Sequence, residues 1–137
     1  MKLKQKEIRY IIKENYVFDE AFCEKIMGID QALRFVAVFT SNGELTHSKM
    51  RPDATSMLTP EQIQMSIYYA KQRHKTREHL VNQIGRPEFS ITKYEKVIRF
   101  TIPIGKDLLL LLSADTNANY SKITDEVLKA IKETKTS

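Results

Sequence analysis

Residues 59–84 announce one long helix, and that helix limits what the rest of the chain can become. Thr59 is placed to cap the free amides of the first turn, and Gln62 to reach back and complete a capping box. Pro60 suits the first helical position, where a missing N–H costs nothing. No Gly or Pro interrupts the stretch from Glu61 to Ile84, and Gly85 stops it. Strand-like segments stand on both sides. A long helix set between a hairpin and a meander narrows the fold to a small group of five-stranded modules.

The strands differ in how they are patterned. Residues 33–40 (Leu-Arg-Phe-Val-Ala-Val-Phe-Thr) are apolar and β-prone with little alternation, which is how a strand covered on both faces reads. Asn42-Gly43 is expected to supply the positive φ angles of a tight hairpin turn. Residues 44–50 form a weaker return strand, polar enough for an edge, and a loop over 51–58 leads to the long helix. Three more strands follow Gly85-Arg86-Pro87. Residues 88–94 alternate, with Phe89 and Ile91 on one side. Residues 97–104 alternate more cleanly, placing Ile98, Phe100, Ile102 and Ile104 opposite Arg99 and Thr101. Residues 108–113 are solidly apolar.

Two shorter helices complete the pattern. Over residues 19–27, Phe18, Phe22 and Ile26 share a stripe, Asp19 and Glu20 suit the positive N-terminal end, and Gly28 stops the helix. From about residue 119 to 132, Tyr120, Ile123, Val127, Leu128 and Ile131 lie on one face. Ile8, Ile11 and Ile12 have helical spacing in the charged segment 1–15, which reads as a helical or frayed basic extension. The two most uniformly apolar strands belong in the middle of a sheet, so the expected order is 2-1-5-4-3, all antiparallel. The class is α+β, with elements in the order α-β-β-α-β-β-β-α and the long helix as the crossover between edges.

Length and composition exclude several classes. At 137 residues, one domain with one core is expected. A content of 42% hydrophobic and 28% charged residues is that of a globular protein, and no apolar run approaches a membrane span. The first residues lead into no apolar signal region, so a cytoplasmic location is expected. A lone cysteine, Cys23, rules out an internal disulfide framework and reads as a small buried hydrophobe. Four isolated glycines make no phosphate-binding or dinucleotide loop, and His47, His74 and His79 lack zinc spacing. The run from Asp115 to Glu126 has EF-hand-like spacing, yet Tyr120 stands where the turn needs Gly. Asn119 is explained more simply as a helix cap. No catalytic residue, metal ligand or cofactor is assigned, and no enzyme activity is expected.

The net charge of +5 is uneven. Lys71, Arg73, Lys75, Arg77 and Arg86 stand against Glu78 alone over residues 71–86, which favours an acidic partner. The long helix also has two partly apolar sides. Ile63, Ile67, Ala70, His74, Val81 and Ile84 form the stripe expected on the sheet, with His74 and Arg77 as a possible inner-face polar pair. Met65, Tyr68 and Gln72 lie on the other side, where an ordinary surface helix is charged. Two apolar sides suit a helix packed on the sheet and against a second molecule. The candidate interface is therefore Met65, Tyr68, Tyr69, Gln72 and Thr76 with Phe89 and Ile91, and the candidate acidic-partner contacts are Lys71, Arg73, Lys75, Arg77 and His79.

The order of elements over about residues 19–132 resembles roadblock / dynein-light-chain domains, with longin and profilin-like relatives, so residues 16–137 are expected to form one such domain. The phrases Leu33-Arg34-Phe35-Val36-Ala37-Val38-Phe39 and Tyr94-Glu95-Lys96-Val97-Ile98-Arg99-Phe100-Thr101-Ile102-Pro103 are similar to those of uncharacterised archaeal proteins. So is Arg73-His74-Lys75-Thr76-Arg77-Glu78. The resemblance implies a non-catalytic module that pairs through the long helix and third strand and binds a small GTPase or a scaffold protein. The basic helix departs from that pattern. Two other readings stand beside it. A PAS-like sensor would hold a small ligand between sheet and long helix, although such domains join strands two and three through several short helices. A nucleic-acid binder would use the basic helix, but its charges surround the rod instead of lining one side.

Overall fold

The two leucine- and valine-rich strands pair with each other at the centre of the sheet. The computed structural model describes residues 17–136; the expected extension over 1–15 lies outside them. In chain order the elements are α1 (Glu20–Met27), β1 (Leu33–Thr40), β2 (Leu45–Met50) and α2 (Pro60–Arg77). A 3₁₀ turn (Glu78–Leu80) and the single turn α3 (Val81–Ile84) follow. The chain then forms β3 (Ser90–Lys93), β4 (Ile98–Ile104), β5 (Leu108–Ala114) and α4 (Tyr120–Thr136). The sheet runs β2-β1-β5-β4-β3 and every pair is antiparallel, as expected.

Register explains why β1 and β5 lack alternation. Val36 lies opposite Leu112 and Val38 opposite Leu110, and these side chains join Ile98, Phe100, Ile102 and Ile104 in the larger core. That core is closed by Phe18, Phe22, Cys23 and Ile26 around α1 and by Ile123, Val127, Ala130 and Ile131 of α4. Phe18 and Phe22 meet edge to face at 5.0 Å. The alternate residues Ala37, Phe39, Leu109 and Leu111 point the other way, under Ile67 and Ala70 of α2. Both faces are apolar because both are covered.

Caps define the helices. Asp19 Oδ1 accepts from Phe22 N–H at 3.0 Å, and Asn119 Oδ1 from Lys122 N–H at 3.1 Å. At α2 the capping box forms in full: Gln62 N–H donates to Thr59 Oγ1 at 3.2 Å, and Thr59 N–H to Gln62 Oε1 at 2.9 Å.

Three local expectations are corrected. The α-helix is not unbroken to Ile84. It ends at Arg77, and the chain tightens into the 3₁₀ turn before α3 stops at Gly85, whose φ is 86°. Dihedrals stay right-handed through the junction, so the crossover remains one helical path, but nothing beyond Arg77 in it is buried. Ile84, assigned to the inner stripe, is 78% exposed. In the hairpin only Gly43 has positive φ, at 85°, and no non-glycine residue does among the described ones. Gly43 N–H donates to Thr40 O at 2.9 Å and Thr40 N–H to Glu44 O at 2.9 Å, closing a loop one residue longer than the tight two-residue turn. Finally β3 is shorter than residues 88–94, because Tyr94 N–H turns back to Val97 O at 2.8 Å and the ladder to β4 begins only at Ser90.

Leu110 is fully buried between Val38 and Ile102. Leu110→Asp places an unpaired carboxylate there and is expected to cost more than about 4 kcal/mol, against about 2–5 kcal/mol for Leu110→Ala. Urea unfolding followed by circular dichroism measures both. Burial, together with Asp19 and Glu20, pushes the Cys23 thiol up to about 11. Alkylation of native protein by iodoacetamide at pH 8 is therefore expected to run roughly 100-fold slower than for an ordinary exposed thiol, and to accelerate with denaturant.

Candidate functional site

The outer side of α2 is built by helical spacing alone. Met65, Tyr68, Tyr69, Gln72 and Thr76 recur at three- and four-residue steps, so they share one stripe. Met65 is 57% exposed, Tyr68 56% and Tyr69 52%. The two tyrosine rings meet edge to face at 5.4 Å. Thr76 Oγ1 donates back to Gln72 O at 2.9 Å. Beyond Arg77 the apolar surface continues through the exposed Leu80 and Ile84.

The other nominated residues divide. Phe89 is exposed and precedes β3 in the chain. Ile91 is half-buried and packs against the larger core, so it supports the edge strand from behind. Arg73, Lys75 and His79 are exposed, whereas Lys71 and Arg77 are half-buried. Arg77 donates to Ser90 Oγ at 2.7 Å, pinning the end of α2 to β3. His74 Nε2 lies 3.8 Å from Glu78 Oε1 one turn along. His74 and Arg77 thus each have their own partner and do not form a pair. Among the described residues, no cluster of three His, Cys, Asp or Glu side chains is placed to hold a metal ion. None of their helices is long and apolar enough to cross a membrane.

Two features escaped the sequence reading. One is a charge cluster that fastens the 51–58 loop. Asp115 takes Arg34 at 3.1 Å on Oδ1 and Arg51 at 2.8 Å on Oδ2. Arg51 also binds Asp53 at 2.7 Å and donates to Gln31 O at 3.0 Å, while Arg34 donates to Thr55 O at 3.1 Å. Hydrogen bonding to Arg51 and then Arg34 outweighs partial burial and holds the Asp115 carboxyl below its ordinary value. The second is a cavity of about 290 Å³ between that loop, the first turns of α2 and the central strands. Phe35, Phe39, Leu58, Ile63, Ile67 and Leu111 form its apolar walls, and Arg99 of β4 enters its lining. The alternation that set Arg99 opposite Ile98 was the available signal.

Comparison with known proteins agrees with this fold. Residues 10–135 match the Family of unknown function (DUF6659). No curated protein matches the chain in sequence. Among solved structures, the Roadblock/LC7 domain from Streptomyces avermitilis superposes with a TM-score of 0.66 at 10% identity, over 85% of this chain and 94% of that one. MglB from Myxococcus xanthus gives 0.66 at 16% identity, over 85% and 92%. Profilin II from Acanthamoeba castellanii gives 0.58 at 9% identity, over 83% and 94%. At such identities the likeness establishes the fold, which is the roadblock type with a profilin-like layout.

Asp115→Asn tests the fastening of the loop. A folded-state pKa below the ordinary 3.8 means that the stabilisation is fully present above that value and is lost as pH falls through the depressed one. Because the group is partly exposed, the variant is expected to lose about 1–2 kcal/mol at pH 7. The gap to the parent should close as both are melted at pH values falling below 3.8.

Proposed function

The chain belongs to the family of unknown function DUF6659, and from that premise we propose that it is a non-catalytic, homodimeric protein-interaction module. The observation that carries this reading is the uncovered stripe Met65-Tyr68-Tyr69 on the helix that also packs on the sheet. Aromatic and methionine side chains concentrated on one exposed helix face are the composition of a buried interface centre. Ser90–Lys93 forms the adjacent sheet edge and is hydrogen-bonded on one side alone among the described residues. A two-fold axis beside α2 and β3 lets both be covered by the same elements of a second copy. Phe89 and the Ile91-backed edge lie in that interface.

The basic flank serves the next partner. Arg73, Lys75 and His79 stay exposed, and Lys71 and Arg77 are half-buried beside them, so a dimer presents two such sets. Their charge selects an acidic protein surface, and the resemblance to roadblock domains makes a small GTPase the partner class of choice. Nucleic acid fits less well, since the cations do not line one groove.

Light scattering on the purified chain is expected to give twice 15.9 kDa. Tyr68→Glu should shift the mass to the monomer without lowering the secondary-structure content, weakening association by roughly 30-fold or more, the scale of a hot-spot loss. A strict monomer at high concentration ends the dimer reading. Charge reversal of Arg73 and Lys75 is expected to leave the dimer mass unchanged while removing salt-sensitive binding of an acidic partner.

A further inference from the structure

The sheet face beneath α2 is incompletely filled. α2 buries only Ile67 and Ala70 in full, with Ile63 half-buried at the margin. The remaining space, about 290 Å³, is walled by Phe35, Phe39, Leu58, Ile63, Ile67 and Leu111. Arg99 stands in the lining beside Tyr94 and Val97. It is half-buried, and no hydrogen bond or ion pair from the described residues reaches its guanidinium. The contrast with its neighbours decides the matter. Arg34, in the same lining, is held by Asp115 and Thr55 O, and Arg51 by Asp115, Asp53 and Gln31 O. The Arg99 guanidinium is thus a positive group without a protein counter-charge at the edge of an apolar cavity, open to an anion.

We propose that this cavity binds an amphipathic carboxylate, with its apolar body against Phe35, Leu111 and Ile67 and its carboxylate on Arg99. The guanidinium presents paired N–H donors that match the two oxygens of one carboxylate. The volume sets the size of the body. A cavity of about 150 Å³ accommodates benzene, so this one takes a medium-chain acyl group of roughly eight to twelve carbons. The proposal does not rest on the dimer, since Ile63 and Ile67 lie on the opposite side of α2 from Met65 and Tyr68.

Isothermal titration calorimetry of the full chain with hexanoate, octanoate and decanoate, and with 1-octanol as the uncharged comparison, tests it. One carboxylate should bind per chain, tightening roughly fourfold for each added methylene. Octanol should bind at least tenfold more weakly than octanoate. Arg99→Gln should bring octanoate down to the octanol level and leave octanol unchanged, with Arg99→Lys in between. Ile63→Trp, which fills the space, should remove both, and Ala54→Leu in the loop wall does the same work if Ile63→Trp does not fold. No heat with decanoate at millimolar concentration overturns the proposal. So does equal affinity for octanol and octanoate, or binding indifferent to Arg99. Affinity that falls as dimer forms assigns the groove to a second copy and overturns it as well.

Discussion

Pairing of β1 with β5 is the contact on which everything else depends. Seven residue pairs align along it, from Leu33 opposite Ala114 to Thr40 opposite Leu108. Each of the leucines from 108 to 112 is buried, alternately toward α4 and toward α2. Full burial of one such side chain contributes about 1.5–3 kcal/mol, so this ladder outweighs any single surface interaction. It also forces the architecture. A strand pair apolar on both faces is stable only between two layers of helix, and the chain has α1 and α4 for one face and α2 alone for the other.

A single helix is the wrong shape for a whole sheet face, and that mismatch produces both candidate surfaces. Crossing five strands means four inter-strand steps, roughly 19 Å, whereas 18 helical residues extend about 27 Å. By Arg77 the helix has reached β3, the last strand of the sheet. Leu80 and Ile84 come after that point and meet solvent. In the other direction, a helix about 10 Å across leaves much of a seven-residue strand uncovered. The 51–58 loop fills part of the remainder, tied down through Arg51, Arg34 and Asp115, and the rest is the cavity.

What could be read from the residues in advance follows the range of the forces concerned. Strand order was legible because burial on two faces erases alternation in residues 33–40 and 108–113, while β4 keeps it. Caps were legible at Thr59 and Asn119, which act within three residues, whereas Asp19 was read only as a charge suited to the helix N-terminus. The end of α2 at Arg77 was not, since no breaker stands there and the contact Arg77 makes is with Ser90, 13 residues away. Asn42-Gly43 suits more than one hairpin loop, and local preference does not choose between them. The Asp115 cluster joins residues 64 and 81 positions apart, beyond any local pattern. Of the candidate interface, the exposure of Met65, Tyr68 and Tyr69 followed from helical spacing. The inward packing of Ile91 depended on where β3 begins.

Among the helices of two turns or more, α2 is the most weakly attached. α2 adds two fully buried side chains to a core of six on its face, against the nineteen of the opposite cluster. Its position relies on that small apolar contact and on the Arg77–Ser90 bond at its C-terminal end, while the capping box secures only its own first turn. An element held this way has a low local unfolding free energy, and whatever binds it preferentially when docked adds directly to that free energy. The outer stripe and the inner cavity are two sides of this one helix. Occupants that each favour its docked state then strengthen one another by the same factor, because linkage through a shared equilibrium is reciprocal. A fully packed inner face would have made the helix rigid and severed that dependence.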